Sequence, residues 1–205
     1  YNCSYLPVDS PRAFDECLYI LMHGTGVGFS VERQYINQLP RVPDTIEESE
    51  TTIIVQDSKE GWFRGFKELV NLLYAGMSPR WDMSRLRPDD LFRVTCNLFK
   101  KASGRKLTSI ECHDLMCKVA DTVVVGGVRR SALISLSNLS DDRMRHAKSG
   151  SWWETDPHRA LANNSVCYTD GSADMGSFMR EWTALYESKS GERGIFNRKA
   201  AQEQA

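Results

Sequence analysis

The sequence predicts an α/β protein in which a largely parallel sheet packs against helices. Stretches rich in Val, Ile, Ser and Thr alternate with longer stretches of helical periodicity, an order typical of parallel α/β folds. The helical stretches have capping residues at their starts and glycines at their ends. In such folds the chemistry gathers at one edge of the sheet, so we look for functional residues near strand ends.

The first strand and helix follow directly from local signals. A strand is predicted at Asn2–Val8. Ser10 is the predicted N-cap of the next helix, with Pro11 at its first position and Gly24 at its end. A second strand, Gly26–Val31, is predicted immediately afterwards.

The middle of the chain repeats this order. Arg41–Glu50 contains Pro43, follows Pro40 and has several acidic residues, which predicts an exposed loop. A strand is predicted at Thr52–Gln56. Asp57 and Glu60 then form a predicted capping box for a helix that ends at Gly76.

The last third contains a further capping box. Thr108 and Glu111 predict the start of a helix that runs through Ala120. Two more strands and a final helix are predicted at Ser131–Leu136, Asn164–Thr169 and Ala173–Ser188. The final helix is predicted to turn three apolar side chains inward, Phe178, Trp182 and Leu185.

Composition excludes several functional classes. Of the 205 residues, 41% are hydrophobic, which is too many for a disordered chain. The net charge is −1, without the basic excess expected of a nucleic-acid-binding domain. No apolar run approaches the roughly 20 residues of a membrane span, and the N-terminus lacks the pattern of a signal peptide. We therefore expect a cytoplasmic protein that binds neither nucleic acid nor membranes.

The cysteines are spread through predicted helices and strands, so they do not indicate a disulfide framework. Cys112 and Cys117, with His113 between them, have the wrong spacing for zinc and lack a second ligand pair, so no metal site is predicted. Four cysteines are predicted to be small core residues: Cys17, Cys96, Cys112 and Cys117. Cys3 lies on the first predicted strand, where its thiol is either inert and buried or directed into the space that the strands enclose.

Three polar or glycine-rich segments are candidate binding loops. Gly24–Gly28 is preceded by a helix and followed by a strand, the reverse of a phosphate-binding loop. Gly126–Ser131 places two glycines before Arg129 and Arg130, whose guanidinium groups suit phosphate, but an ordinary turn with two solvated arginines explains it equally well. Asn163–Ser165 is either a polar turn or a group of amides facing a ligand.

Taken in order, several motifs resemble the adenosylcobalamin-dependent (class II) ribonucleotide reductases, above all the monomeric ribonucleoside-triphosphate reductase branch. The matching segments are Asn2–Tyr5, Gly24–Val31, Asp57–Trp62, Gly104–Leu107, Gly126–Ser137, Leu161–Ser165 and Ser190–Arg198. The resemblance implies the first half of a ten-stranded α/β barrel. We expect residues 1–205 to be a single fragment of that catalytic barrel domain, with both ends truncated.

The resemblance also implies a reaction, the reduction of ribonucleotides, with ribonucleoside triphosphates as the expected substrates. In this family adenosylcobalamin initiates formation of a thiyl radical, and a cysteine pair supplies the reducing equivalents before a thioredoxin-type donor restores it. Cys3 matches one cysteine of that pair. The radical cysteine and the second cysteine of the pair would follow Ala205, so we expect the isolated chain to be inactive.

Nucleotide contacts are implied for two further groups of residues. The loop between substrate and allosteric effector matches Gly126, Gly127, Val128, Arg129, Arg130 and Ser131. Asp9 and Ser10 match the helix start that holds the sugar of a deoxynucleoside triphosphate effector. Relatives carry a glycine- and arginine-containing effector-site segment after a motif like Arg85–Pro88, and its absence here questions allosteric control.

Two other functions compete with catalysis by radical chemistry. The first is a nucleotide-binding regulatory module without catalysis, which Gly126–Arg130 would serve. The second is a phosphoryl-transfer enzyme that uses Gly24–Gly28. It ranks last because Phe29 and Ser30 stand where a phosphate-binding loop needs Lys followed by Ser or Thr.

Overall fold

The computed structural model describes residues 2–82, 89–125, 132–168 and 174–204. The strands are Cys3–Pro7 (β1), Gly26–Ser30 (β2), Glu47–Ile54 (β3), Met77–Asp82 (β4), Leu133–Asn138 (β5), Ala162–Tyr168 (β6) and Gly194–Asn197 (β7). The helices are Arg12–Met22 (α1), Arg33–Ile36 (α2), Lys59–Tyr74 (α3), Asp89–Lys101 (α4), Ser109–Val125 (α5), Asp142–Arg145 (α6), Trp152–Thr155 (α7), Met175–Ser188 (α8) and Arg198–Glu203 (α9), with a 3₁₀ helix at Pro157–Leu161.

The described strands form two parallel sheets. The larger has five strands in the order β1-β2-β5-β6-β7, and the smaller pairs β3 with β4. Every neighbouring pair is parallel, so helical or looped crossovers must connect the strands. The predicted α/β class with a parallel sheet is therefore confirmed.

The hydrophobic core lies on one face of the larger sheet. Leu6, Val27, Phe29 and Leu133 project from β1, β2 and β5 into this core. Helices α1 and α5 pack against these strands and against each other, and α3 packs against α1. This arrangement leaves the opposite face of the sheet for the functional residues discussed below.

The structure moves two of the predicted N-caps by one residue or less. Helix α1 begins at Arg12 and no side-chain hydrogen bond caps it, but Pro11 already has helical dihedral angles and the Ser10 carbonyl accepts from the Ala13 N–H (3.0 Å), as a residue at a helix start does. At α3 the cap is Ser58, one residue after the predicted Asp57, and its Oγ accepts from Gly61 N (2.9 Å). Each shift shows that several capping residues in a row leave the start ambiguous by one position.

The capping box of α5 and the glycine stops are confirmed. Thr108 N donates to Glu111 Oε2 (2.9 Å), and Glu111 N donates back to Thr108 Oγ1 (3.4 Å). The helix continues to Val125, beyond the predicted Ala120. Gly24 and Gly76 follow α1 and α3 with φ of 79° and 82°, a conformation that glycine adopts without a steric penalty.

Four of the five predicted strands are found within two residues of their expected starts. The fifth, β3, begins at Glu47, so the predicted loop is wrong over residues 47–50, although Glu47, Glu48 and Glu50 are exposed as predicted. The reason is β4, which was not predicted from the sequence and which pairs with β3 from Glu47 to Ile54. Helix α4 and strand β7 were likewise not predicted.

The inward face of α8 also differs from the prediction. Trp182 is 53% exposed, whereas Glu181 is only 4% exposed because it pairs with two arginines. The predicted inward position of Trp182 is therefore wrong, whereas Phe178 and Leu185 are partly buried, and Phe178 packs against Tyr168 at 6.4 Å between ring centroids. Among the described residues, no helix combines the length and apolarity that a membrane crossing would need.

Candidate functional site

Alternation along the parallel strands gives the larger sheet two different faces. We call the face away from α1 and α5 the open face. Its side-chain positions are Cys3, Tyr5, Gly26, Gly28, Ser30, Ile134, Leu136, Asn163, Ser165, Cys167 and Phe196. At the amino-terminal ends of the strands this face is exposed, as shown by Tyr5 at 52% and Ile134 at 47%.

Cys3 lies on the exposed part of the open face. Its cross-strand partner on β2 is Gly26, which has no side chain to cover the thiol. All six cysteines lie in the described residues, and Cys3 is exposed whereas the other five are buried. The predicted burial of Cys17, Cys96, Cys112 and Cys117 is thus confirmed, and the thiol of Cys3 is accessible to a second reactant.

Tyr5 and Gly28 form the next row of the open face. A Cβ added to Gly28 would lie 3.7 Å from Tyr5 Cδ2, so the tyrosine ring occupies the space that the glycine leaves. Desolvation, followed by hydrogen bonding to Tyr35, raises the pKa of Tyr5 above its ordinary value. The phenol therefore stays protonated at neutral pH. Asn163, the cross-strand neighbour of Ile134 in this row, is also exposed.

A charged cluster covers the carboxyl-terminal end of the open face. Glu32, which follows β2, accepts from Ser30 Oγ (2.7 Å) and from Gln34 Nε2 (3.0 Å). The guanidinium of Arg198, which follows β7, forms an ion pair with the same carboxylate. Because β5 and β6 lie between β2 and β7, this ion pair spans the central strands and closes one end of the face.

Cys167 lies beside this cluster. Burial, and then the negative charge of Glu32, raise the pKa of its thiol to about 11. The thiol is therefore protonated at neutral pH. No role is predicted from the sequence for Glu32 or Cys167. Arg198 stood in a recognised motif, but only the fold shows that it reaches Glu32.

The structure separates the predicted site residues. Asp9 and Ser10 follow β1, whereas Cys3 begins it, so they lie at opposite edges of the sheet, about 20 Å apart at the rise of an extended strand. Gly126, Gly127, Val128, Arg129, Arg130 and Ser131 lie outside the described residues. Ala132, which follows them, has its carbonyl bonded to Val27 N (2.9 Å), at the same edge as Cys3.

The Asn163–Ser165 segment is part of β6, not a turn. Asn163 and Ser165 lie on the open face, whereas Asn164 is buried on the covered face. Its Oδ1 lies 2.9 Å from Nε2 of His113 on α5, and its backbone N donates to Glu192 (3.2 Å). The three residues therefore do not act as one group of amides: the middle one ties β6 to α5.

His113 is fully buried and uses both ring nitrogens. Nδ1 lies 3.2 Å from Asp114 Oδ1, and Nε2 contacts Asn164. Burial acts to lower the pKa of His113, but Cys117 and Asp114 act to raise it, and the net result is a pKa of about 10. Because both nitrogens face protein groups, His113 is not placed to serve as a metal ligand with Cys112 or Cys117.

A separate group of potential metal ligands occurs nearby. Single ligand atoms of Asp114, Asp156 and His158 lie within 4.8 Å of one another. However, the Arg159 guanidinium donates to both oxygens of Asp114 (2.7 and 2.6 Å). This group is therefore an arginine-neutralised ion cluster and not a cation site.

The chain is similar in sequence to several curated proteins. It is 30% identical over 241 residues to the adenosylcobalamin-dependent ribonucleoside-triphosphate reductase of Lactobacillus delbrueckii subsp. bulgaricus, covering 90% of this chain and 31% of the relative. It is 25% identical over 242 residues to the protein of the same name from Levilactobacillus brevis, covering 86% of this chain and 30% of the relative. The chain thus spans about a third of the length of these relatives.

The chain also resembles a solved structure in its fold. A B12-dependent (class II) ribonucleotide reductase superposes with a TM-score of 0.78 at 21% identity, covering 94% of this chain and 36% of that one. No protein-family profile matches the chain. The five-stranded open sheet therefore corresponds to part of a larger α/β fold, as the predicted fold class requires.

Proposed function

Because the chain is homologous to the adenosylcobalamin-dependent ribonucleoside-triphosphate reductases, we propose that it forms the first part of the catalytic domain of such a reductase. In this proposal the open face is one half of the wall of an α/β barrel. The second half of the barrel would be supplied by polypeptide outside residues 1–205. The observation that carries the proposal is the exposed thiol of Cys3 at the amino-terminal end of the open face.

In this proposal Cys3 is one of the two thiols that reduce the ribose. Two thiols lose two electrons and two protons and form a disulfide. The ribose exchanges its 2′ C–O bond for a C–H bond, and the hydroxyl leaves as water, so atoms and electrons balance. An exposed thiol at a strand end suits this role, since it must meet substrate, a second thiol and then an external dithiol of the thioredoxin type.

Adenosylcobalamin is the proposed cofactor and supplies the radical chemistry when bound. The open face is a single wall, and its side chains Tyr5 and Ile134 beside Cys3 are about half exposed. The cofactor would therefore need contacts from polypeptide beyond this chain. What this chain contributes is the position of Cys3 and an uncharged surface of Tyr5, Ile134 and Asn163 beside it.

The nucleotide contacts are proposed from the family resemblance. Gly126–Ser131, which lie outside the described residues, would contact substrate or effector. Asp9 and Ser10 would hold the sugar of a deoxynucleoside triphosphate effector at the end of β1 opposite to Cys3.

Thiol labelling followed by turnover tests the proposal. With the folded chain, iodoacetamide should modify one fast-reacting thiol, and Cys3→Ser should abolish that reaction. In the complete protein, with adenosylcobalamin, a ribonucleoside triphosphate and a dithiol, Cys3→Ser should stop multiple turnovers. The isolated chain should yield no deoxynucleotide.

Cys167→Ser is the matched control, because Cys167 shares the open face but is buried under Glu32 and Arg198. It should leave turnover in place. Unchanged steady-state activity in Cys3→Ser would remove Cys3 from the mechanism. Tight binding of deoxynucleoside triphosphates by a complete protein that never reduces ribonucleotides would favour the regulatory alternative.

A further inference from the structure

A cleft of about 390 Å³ lies between the smaller sheet and α4, away from the open face. Its described walls come from β3, β4 and α4, none of which belongs to the five-stranded sheet. A volume of this size is typical of small-molecule sites. Neither the proposed redox chemistry nor the proposed effector contacts use it.

The cleft has an excess of positive charge. Arg80, Arg93 and Lys100 line it, against the single carboxylate of Glu48. Arg93 pairs with Asp90 (2.6 Å), but within the described residues no carboxylate lies at ion-pair distance from Arg80 or Lys100. Two cations are thus free to meet an anion, and a guanidinium can bind phosphate through two parallel hydrogen bonds.

A bulge in β3 shapes the cleft and adds polar groups. Glu48 pairs with Ser78 and Thr52 pairs with Arg80, so three residues of β3 lie opposite Pro79 alone. Pro79 has no N–H to donate to the neighbouring strand, which is consistent with the interrupted pairing of β3 and β4 at this point. Because such a bulge leaves strand backbone groups outside the regular pairing, the Ser49 region can offer hydrogen bonds to a ligand.

An aromatic wall completes the cleft. Trp81 lines it and is partly exposed, with its ring packed edge-on against Phe92 at 5.8 Å between centroids. A tryptophan held in this way presents a rigid flat surface for stacking a planar ring. The side chain of Asn97 on α4 adds a hydrogen-bonding amide to the same cleft.

From these observations we propose that the cleft binds an aromatic polyanion of the nucleoside polyphosphate class, with phosphates at Arg80 and Lys100 and the ring at Trp81. This site differs from the effector contacts proposed at Asp9 and Ser10, which lie on the larger sheet and α1. It does not depend on the proposed reductase activity.

Calorimetric titration of the chain with ATP, tripolyphosphate and adenosine tests the proposal. ATP should bind most tightly, since it alone engages both the cations and the ring. The double variant Arg80→Ala and Lys100→Ala should weaken ATP binding by about tenfold or more. Both side chains are exposed, so this variant should keep the circular dichroism spectrum of the parent chain.

The control is Arg64→Ala with Lys59→Ala, which removes the same charge from exposed positions on α3 that do not line the cleft. It should leave ATP affinity within about twofold of the parent, because distant surface charges are screened. Equal losses of ATP affinity in both double variants would show that only the net charge matters and would overturn the proposal. So would absence of ATP binding, or ATP binding that is lost in Asp9→Ala but kept in the cleft variant.

Discussion

The two faces of the larger sheet differ in what holds their polar groups. On the covered face, ionised side chains are buried in pairs: Glu181 is bound by Arg193 and Arg145, and Asp114 by Arg159. At the amino-terminal end of the open face, Cys3 and its neighbours are exposed and carry no charge. The covered face uses buried ion pairs to hold the fold together, as does the carboxyl-terminal end of the open face, where Glu32 pairs with Arg198. The amino-terminal end of the open face keeps reactive or hydrogen-bonding groups accessible.

Residues that are adjacent in one motif lie on different faces of the sheet. Asn164 points into the covered face and bonds His113, while Asn163 and Ser165 point away from it. Adjacent residues of a single motif can therefore have structural and functional roles in turn, because side chains of a strand alternate.

The largest contrast is expected from apolar truncation on the two faces. Phe29 is fully buried in the core, so Phe29→Ala should lower the free energy of unfolding by about 4 kcal/mol. Ile134 is 47% exposed on the open face, and Ile134→Ala should cost about 1 kcal/mol or less. Urea denaturation of both variants measures the difference, and equal losses would show that the open face is packed in solution.

A somewhat smaller effect is expected from the buried ion cluster. Glu181→Gln leaves Arg193 and Arg145 without their shared carboxylate and should destabilise the chain by about 3 kcal/mol. Glu187 lies on the same helix but is exposed, so Glu187→Gln should change the free energy of unfolding by less than about 0.5 kcal/mol. If the two glutamate variants unfold at the same urea concentration, the cluster does not hold α8 to the sheet.

The smallest effect should be a pH-dependent gain on the helical side of the molecule. Asp15 on α1 is 2% exposed, and burial raises the pKa of its carboxyl to about 6, against the opposing influence of Lys67 and then Arg12. A folded-state pKa above the unfolded value means that ionisation destabilises the fold. The free-energy cost of ionising Asp15 in the folded chain is absent below about pH 4, grows up to about pH 6 and is complete above it.

Asp15→Asn should therefore stabilise the chain by about 2 kcal/mol at pH 8 and by almost nothing at pH 4. Thermal or urea unfolding at the two pH values measures this. Asp121→Asn is a control, because Asp121 is more exposed and already paired with Lys118. A gain that is the same at both pH values would contradict the assignment of the effect to the buried charge.

Much of the fold follows from local patterns that the sequence displays. The capping box of Thr108 and Glu111 was predicted and is found, as are the stops at Gly24 and Gly76. These features depend on residues three or four positions apart, so they are visible without knowing the fold. The strand β4 could not be predicted in this way, because its sequence contains Pro79 and no β-branched residue.

The candidate site was only partly visible from the sequence. The family resemblance pointed to Cys3 and included the segment that ends at Arg198. The alternation of side chains along β1 agrees with an exposed Cys3. The ion pair between Glu32 and Arg198 joins residues 166 positions apart. No local pattern marks such a contact, since it depends on β2 and β7 flanking the same pair of strands.

The sequence by itself determined the class of the fold, the order of most strands and helices and the identity of the unusual cysteine. These depend on hydrophobic periodicity, short-range capping and a set of motifs in a fixed order. Only the tertiary structure decided which side chains share a face, which charges are buried and paired, and that Asp9 and Cys3 lie at opposite edges. Those properties depend on strand pairing between distant segments, which is set by the packing of the whole chain and not by any short stretch of it.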